Sequence, residues 1–238
     1  MTKKTKKLYR YRSLNEFTFH SIENDYLWLS SPLQFNDPFD CQLFVEYFQV
    51  EKANIIKKES LNTLQEYYDG YYDNVIYKSF IDNGIACFSE TKSEILMWSH
   101  YADFHRGICL EYEIDDSSEN IFSLCRPVNY CSHYPMLDFS EFLKPDLNNT
   151  VDFIDKMVLT KSTSWKYEKE WRIVMSGYGN KKVNYPPTTL SGIYLGCNIS
   201  GENKVRLISL IEEKTIQPTV YQCNKNINSF SLDFTTIK

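Results

Sequence analysis

The chain has 238 residues, 42% apolar and 24% charged, which suits one globular domain with a substantial core, expected over residues 1–238. Its formal net charge is −5, and the only basic run is Lys3, Lys4, Lys6 and Lys7, so sequence-independent duplex binding, which is mostly phosphate neutralisation, is not expected. Aromatic residues reach 16%, which favours sheets and either a Tyr-heavy core or a cleft walled by rings.

Seven cysteines are scattered without a Cys-x-x-Cys and sit in apolar surroundings, as in Ala86-Cys87-Phe88. That usage fits reduced, buried thiols rather than a disulfide frame. No apolar run approaches the length of a membrane span, and a cytoplasmic location with no membrane partner is the expectation.

Leu8-Tyr9-Arg10-Tyr11-Arg12 predicts a short strand with arginines on one side and tyrosines on the other. Ser13-Leu14-Asn15-Glu16 reads as a cap for a brief helix over 17–22, and Tyr26-Leu27-Trp28-Leu29 as a second strand. That strand stops at Ser30-Ser31-Pro32, before the turn-rich Phe35-Asn36-Asp37-Pro38-Phe39-Asp40. A weak apolar stripe then predicts a helical excursion over about residues 44–78.

A buried strand is expected over 84–89, then a helix over 94–101 opened by Thr91 or Ser93, a strand over 107–112 and another within 126–133. A helix from about 151 leads into Ser164-Trp-Lys-Tyr-Glu-Lys-Glu-Trp-Arg-Ile-Val-Met175, whose alternation predicts a strand. Late strands near 193–196 and 219–222 flank a helix over 202–214. The sum is a mixed α+β fold, with a mostly antiparallel sheet and peripheral helices.

On a strand over 164–175, Glu168, Glu170 and Arg172 share one face, and Tyr167, Lys169 and Trp171 the other. Acids two apart raise each other's proton affinity, and a carboxylate so placed can steady an oxocarbenium-like transition state. The alternative is a solvated face on which a Glu pairs with Arg172 or Lys169 for little energy.

His100-x2-Asp103-x-His105-x3-Cys109 holds metal-capable side chains, but a pair of His five apart does not share a helical face, so no metal is expected there. Asp37 and Asp40 could serve a metal-dependent nuclease or simply form an Asx turn. Four histidines, no Gly-x-Ser-x-Gly and no glycine-rich phosphate loop leave serine or cysteine hydrolases, Walker NTPases and Rossmann domains without support.

Several of these motifs resemble a known family. Leu8 to Ser13, Leu29-Ser30-Ser31-Pro32, Cys87-Phe88-Ser89-Glu90, Met97-Trp98-Ser99-His100-Tyr101-Ala102, His105-Arg106-Gly107 and Trp165-x-x-Glu168-x-Glu170-Trp171-Arg172 look like those of bacterial domain-of-unknown-function family 2971, over about residues 8–175. That family name implies no activity.

A second similarity is to toxin-type mono-ADP-ribosyltransferases, which present in chain order a strand Arg, a Ser-rich strand start and a Glu-x-Glu. It implies NAD as cofactor, with Arg10 or Arg12 as its anchor and Ser30-Ser31 or Ser89 as the middle motif. Glu170 would be the catalytic anion, Glu168 the acceptor-side acid and Arg172 their neighbour on the strand. Tyr9, Trp98, His100, Tyr101 and Trp165 would complete the binding wall. The implied role is a toxin or phage-defence effector acting on a macromolecular acceptor, and the alternative is a nucleotide-binding module without turnover.

Overall fold

The structure, a computed structural model, describes residues 5–42, 44–46, 78–115, 120–138 and 154–238. The strands are β1 (Thr5–Arg12), β2 (Tyr26–Leu29), β3 (Phe44–Glu46), β4 (Gly84–Ser89), β5 (Ile108–Asp115), β6 (Cys125–Pro127) and β7 (Asn129–Cys131). They continue as β8 (Met136–Asp138), β9 (Thr160–Ser162), β10 (Glu170–Met175), β11 (Lys181–Asn184), β12 (Leu190–Leu195), β13 (Thr219–Lys225) and β14 (Leu232–Thr236). Helices are α1 (Glu16–Glu23), α2 (Lys78–Ile81), α3 (Ile95–Tyr101) and α4 (Gly201–Glu213), and residues 154–158 are also helical.

Eight strands form one sheet in the order β14-β13-β12-β5-β1-β4-β10-β6. All neighbours in it are antiparallel except β12 and β13, whose parallel pairing needs the crossover that α4 supplies. The fold is mixed α+β, built on a large and mostly antiparallel sheet.

Both faces of the sheet centre are covered, and the alternation in β1 explains how. Leu8 joins one core with Ile22, Leu27, Ile173 and Leu207. Tyr9 and Tyr11 join another with Trp98, Cys109 and Tyr194. Asn15 caps α1 by accepting a hydrogen bond from the Thr18 amide, which aims Phe19 and Ile22 at the first core. Each such fully buried aliphatic side chain contributes about 1.5–3 kcal/mol.

The sheet is not continuous. β1 pairs with β5 along its full length, Thr5↔Asp115 to Arg12↔Ile108, yet meets β4 only at Tyr9↔Ser89. Beyond that point β4 stays with β10, from Glu170↔Ser89 to Met175↔Gly84, and Ile85 exchanges backbone hydrogen bonds of 2.9 and 2.8 Å with Ser30. β1 and β4 therefore part beside Arg10, Tyr11 and Arg12.

Three sequence expectations need correction. Residues 164–175 are not one strand: Thr163–Glu168 is a 3-10 helix capped by Ser162, Lys169 is left-handed at φ 46°, and only then does β10 begin. The hydroxyl cap satisfies the first free amide of the helical turns and so competes with extension. Residues 44–46 pair as a strand with β8 instead of opening a helix, and residues 47–77 of that expected excursion lie outside the described residues. The strand expected within 126–133 is two short ones, β6 and β7, which join different sheets on either side of Val128. A smaller difference is that Glu94, not Thr91 or Ser93, caps α3.

Gly107 links the helical layer to the split. A Cβ there would lie 2.2 Å from the Arg12 carbonyl oxygen and 3.0 Å from Ala102, so only glycine lets the turn after α3 pass under the end of β1.

Candidate functional site

A cleft of about 180 Å³ occupies the split between β1 and β4. β1 supplies Tyr9, Arg10, Tyr11 and Arg12, the loop after β2 supplies Ser30, Phe35, Asn36 and Asp40, and α3 supplies Met97 and Tyr101. Lys161, Glu168, Glu170 and Arg172 close it from the other side.

The far wall is a buried ion cluster. Arg172 is fully buried and donates from Nε to Glu170 Oε1 at 2.7 Å and from Nη2 to Glu170 Oε2 at 3.1 Å. Its Nη1 and Nη2 also donate to the two Asp40 carboxylate oxygens, at 3.0 and 2.6 Å, and Nη1 reaches the Val158 carbonyl at 2.7 Å. Lys161 donates to Glu168 at 2.6 Å and to Glu170 at 2.8 Å, and lies 3.7 Å from Asp40. Three carboxylates thus face two cations. The cluster carries one acid in excess.

The two glutamates are not equivalent. Burial would raise the Glu170 carboxyl, but Arg172 and Lys161 outweigh it and hold the group down at about 2. Glu168 is raised above its ordinary range, chiefly by burial and also by Glu170, against the pull of Lys161. Its second oxygen accepts from the Tyr101 hydroxyl at 2.7 Å, a neutral donor that a ligand hydroxyl can replace. Ser89 Oγ donates to the Glu168 carbonyl at 2.6 Å, and the Glu170 amide donates to the Tyr130 hydroxyl at 2.7 Å. These bonds fix the backbone on both sides of Lys169.

The near wall is cationic. Arg10 donates to the Trp28 carbonyl at 3.1 Å and lies over the Phe88 ring at 5.6 Å. Arg12 has no hydrogen-bond or ion-pair partner among the described residues, and burial together with Arg10 lowers its pKa to about 10. Neither guanidinium is paired with an acid among the described residues, although each is half-buried. An anion is the complement such a pair lacks.

The sequence-expected site residues divide in two. Tyr9, Arg10, Arg12, Ser30, Tyr101, Glu168, Glu170 and Arg172 line this one cleft. Trp98 does not: it is fully buried behind Tyr11, edge-on at 5.3 Å, with Nε1 donating to the Lys92 carbonyl. His100 is exposed on the outer face of α3, edge-on to Trp165 at 6.3 Å. Trp165 donates to Asp37 at 2.6 Å, and Ser31 donates to the Ile81 carbonyl at 2.8 Å, so both brace loops. Ser89, buried, orients Glu168 instead of facing the cleft.

Lys161 and Met97 are among the lining residues that sequence reasoning did not assign to the site. Lys161 sits in a polar Thr-Lys-Ser-Thr run with no apolar neighbour to signal burial, yet it is 7% exposed. Met97 was legible: it is four residues before Tyr101, the helical spacing that puts both on the cleft side of α3. For the metal reading, Asp40 is bidentate to Arg172, while Asp37 accepts from the Phe39 amide at 2.9 Å, an Asx turn. Among the described residues no three His, Cys, Asp or Glu converge on a metal position.

Fold and site together define an α+β protein with a charged cleft in a split sheet. Residues 97–173 match the family described as a protein of unknown function (DUF2971). The matched stretch begins on α3 and ends within β10, so it contains Tyr101, Lys161, Glu168, Glu170 and Arg172 and leaves out Arg10 and Arg12. Comparison with curated proteins and with solved structures gives no match. No helix among the described residues is long and apolar enough to cross a membrane.

Proposed function

We propose that the protein is an NAD-consuming enzyme of the ADP-ribosyltransferase type, modifying a macromolecular acceptor, with a role as a toxin or phage-defence effector in the cytoplasm. The supporting observation is that, among the described residues, two guanidiniums without acid partners and a carboxylate cluster with one acid in excess line the same cleft. A diphosphate suits the first group, and developing positive charge the second.

When bound, NAD supplies a ribosyl–nitrogen bond whose cleavage leaves positive charge on the ribose and releases neutral nicotinamide. Arg10 and Arg12 hold the phosphates and fix the depth of entry. Glu168 is the carboxylate assigned to the ribose: exchanging its Tyr101 hydrogen bond for a sugar hydroxyl costs little, and its charge is available as the ribose becomes cationic. Glu170, held by Arg172 and Lys161, is a positioning residue in this reading, because it keeps Lys161 and hence Glu168 in place.

The test is nicotinamide release from NAD. Wild type is expected to turn NAD over, and Glu168→Gln to lose at least about 100-fold in rate, the size of a lost transition-state contact. No release by wild type, or equal release by both, ends the proposal. A second reading, nucleotide binding without turnover, draws support from the prior engagement of both Glu168 oxygens. Stabilisation by NAD without nicotinamide release would favour it.

A further inference from the structure

A second hollow of about 360 Å³ adjoins the cleft and shares Arg10, Arg12 and Ser30 with it. Its floor is the same face of the sheet, where Arg10 of β1 lies opposite Leu110 of β5, beside Tyr112. Its other wall is the first turn of α1 and β2, which contribute Phe17 and Trp28. Phe17 is 78% exposed and Trp28 40%, so neither ring is consumed by the core.

Single exposed aromatics are ordinary. Two around one hollow that also holds two guanidiniums with no acid partner among the described residues are a different matter, because that set matches a flat π system joined to an anion. Rings and guanidiniums both stack on bases, and guanidiniums bind phosphate oxygens in a fork. Asn15, whose Oδ1 is spent on the cap of α1, leaves its amide group to a ligand edge, with only a 3.5 Å contact to Ser13. The Arg10 bond to the Trp28 carbonyl ties the phosphate-binding side to the ring-bearing strand.

We propose that this hollow binds the base of an adenine nucleotide against Phe17 and Trp28, with its phosphate on Arg10 and Arg12. The choice of adenine nucleotide rests on the NAD reading above; the ring and guanidinium chemistry of the hollow does not. One extended ligand then spans both hollows across the shared arginines, adenosine in the larger and the second ribose at Tyr101 and Glu168.

The test is calorimetric binding of AMP and, separately, of nicotinamide mononucleotide to the full chain and to Phe17→Ala and Trp28→Leu. AMP affinity is expected to fall roughly tenfold for each ring removed, the usual size of a lost base–aromatic stack, with binding of the mononucleotide unchanged. Both side chains are substantially exposed, so melting temperatures are expected to stay put, and a matched unfolding curve for each variant checks this. AMP bound equally by all three proteins, or not by wild type, overturns the inference. Nicotinamide release with AMP binding indifferent to the rings would sink this inference and spare the transferase reading. Ring-dependent AMP binding without any nicotinamide release would do the reverse.

Discussion

Replacing Arg172 by Met probes the cluster on which the cleft depends. Arg172 donates five hydrogen bonds to oxygen, four of them to Asp40 and Glu170, from a fully buried position. Its removal leaves Asp40, Glu168 and Glu170 to share the single ammonium of Lys161, which lies 2.6–3.7 Å from each. Breaking a buried pair by deleting one partner costs about 3–5 kcal/mol, since the stranded charge keeps its desolvation penalty. For a chain of this size that corresponds to a melting temperature lower by roughly 6–20 °C. Urea unfolding followed by tryptophan fluorescence and circular dichroism measures the loss directly. Adding Asp40→Asn and Glu170→Gln to Arg172→Met is expected to recover most of it, because no unpaired charge then remains buried. A loss below about 1 kcal/mol for the single change would refute the reasoning, as the size expected of a surface pair.

Other outcomes follow from the same geometry. With both Glu170 oxygens in ion pairs, Glu170→Gln should lower the melting temperature at pH 7. Because its folded pKa is depressed from 4.5 to about 2, the contribution of Glu170 is complete above about pH 4.5 and is lost as the pH falls toward 2. Melting curves of wild type and Glu170→Gln should therefore converge across that window, and parallel curves would count against the pairing. Arg12→Met should raise stability by about 1 kcal/mol while weakening nucleotide binding, since it removes a desolvated charge kept for a ligand; a fall in melting temperature would argue that Arg12 is structural. Gly107→Ala should destabilise by at least about 1–3 kcal/mol, from the collision with the Arg12 backbone, and calorimetry would show whether anion binding drops with it.

Much of this architecture was legible in the residues themselves. The alternation of Leu8, Arg10 and Arg12 with Tyr9 and Tyr11 sorted the side chains of β1 between two faces, and Asn15 marks the start of α1 by local chemistry alone. Such signals need only neighbours within a turn or a pleat. The roles within the Glu168-x-Glu170 doublet were not legible, because left-handed Lys169 breaks the period-2 rule, and the two carboxylates share Lys161 while Glu168 also takes Tyr101 and Glu170 takes Arg172. Nor was the burial of Lys161, whose favourable state depends on acids seven and nine positions on and, through Asp40, more than a hundred positions back. The sequence alone determined the extended segments that become β1, β2, β4 and β5 and the cap of α1. Only the tertiary structure decided that β1 leaves β4 after a single paired position, because the loss of a ladder is a competition among distant strands for the same backbone groups.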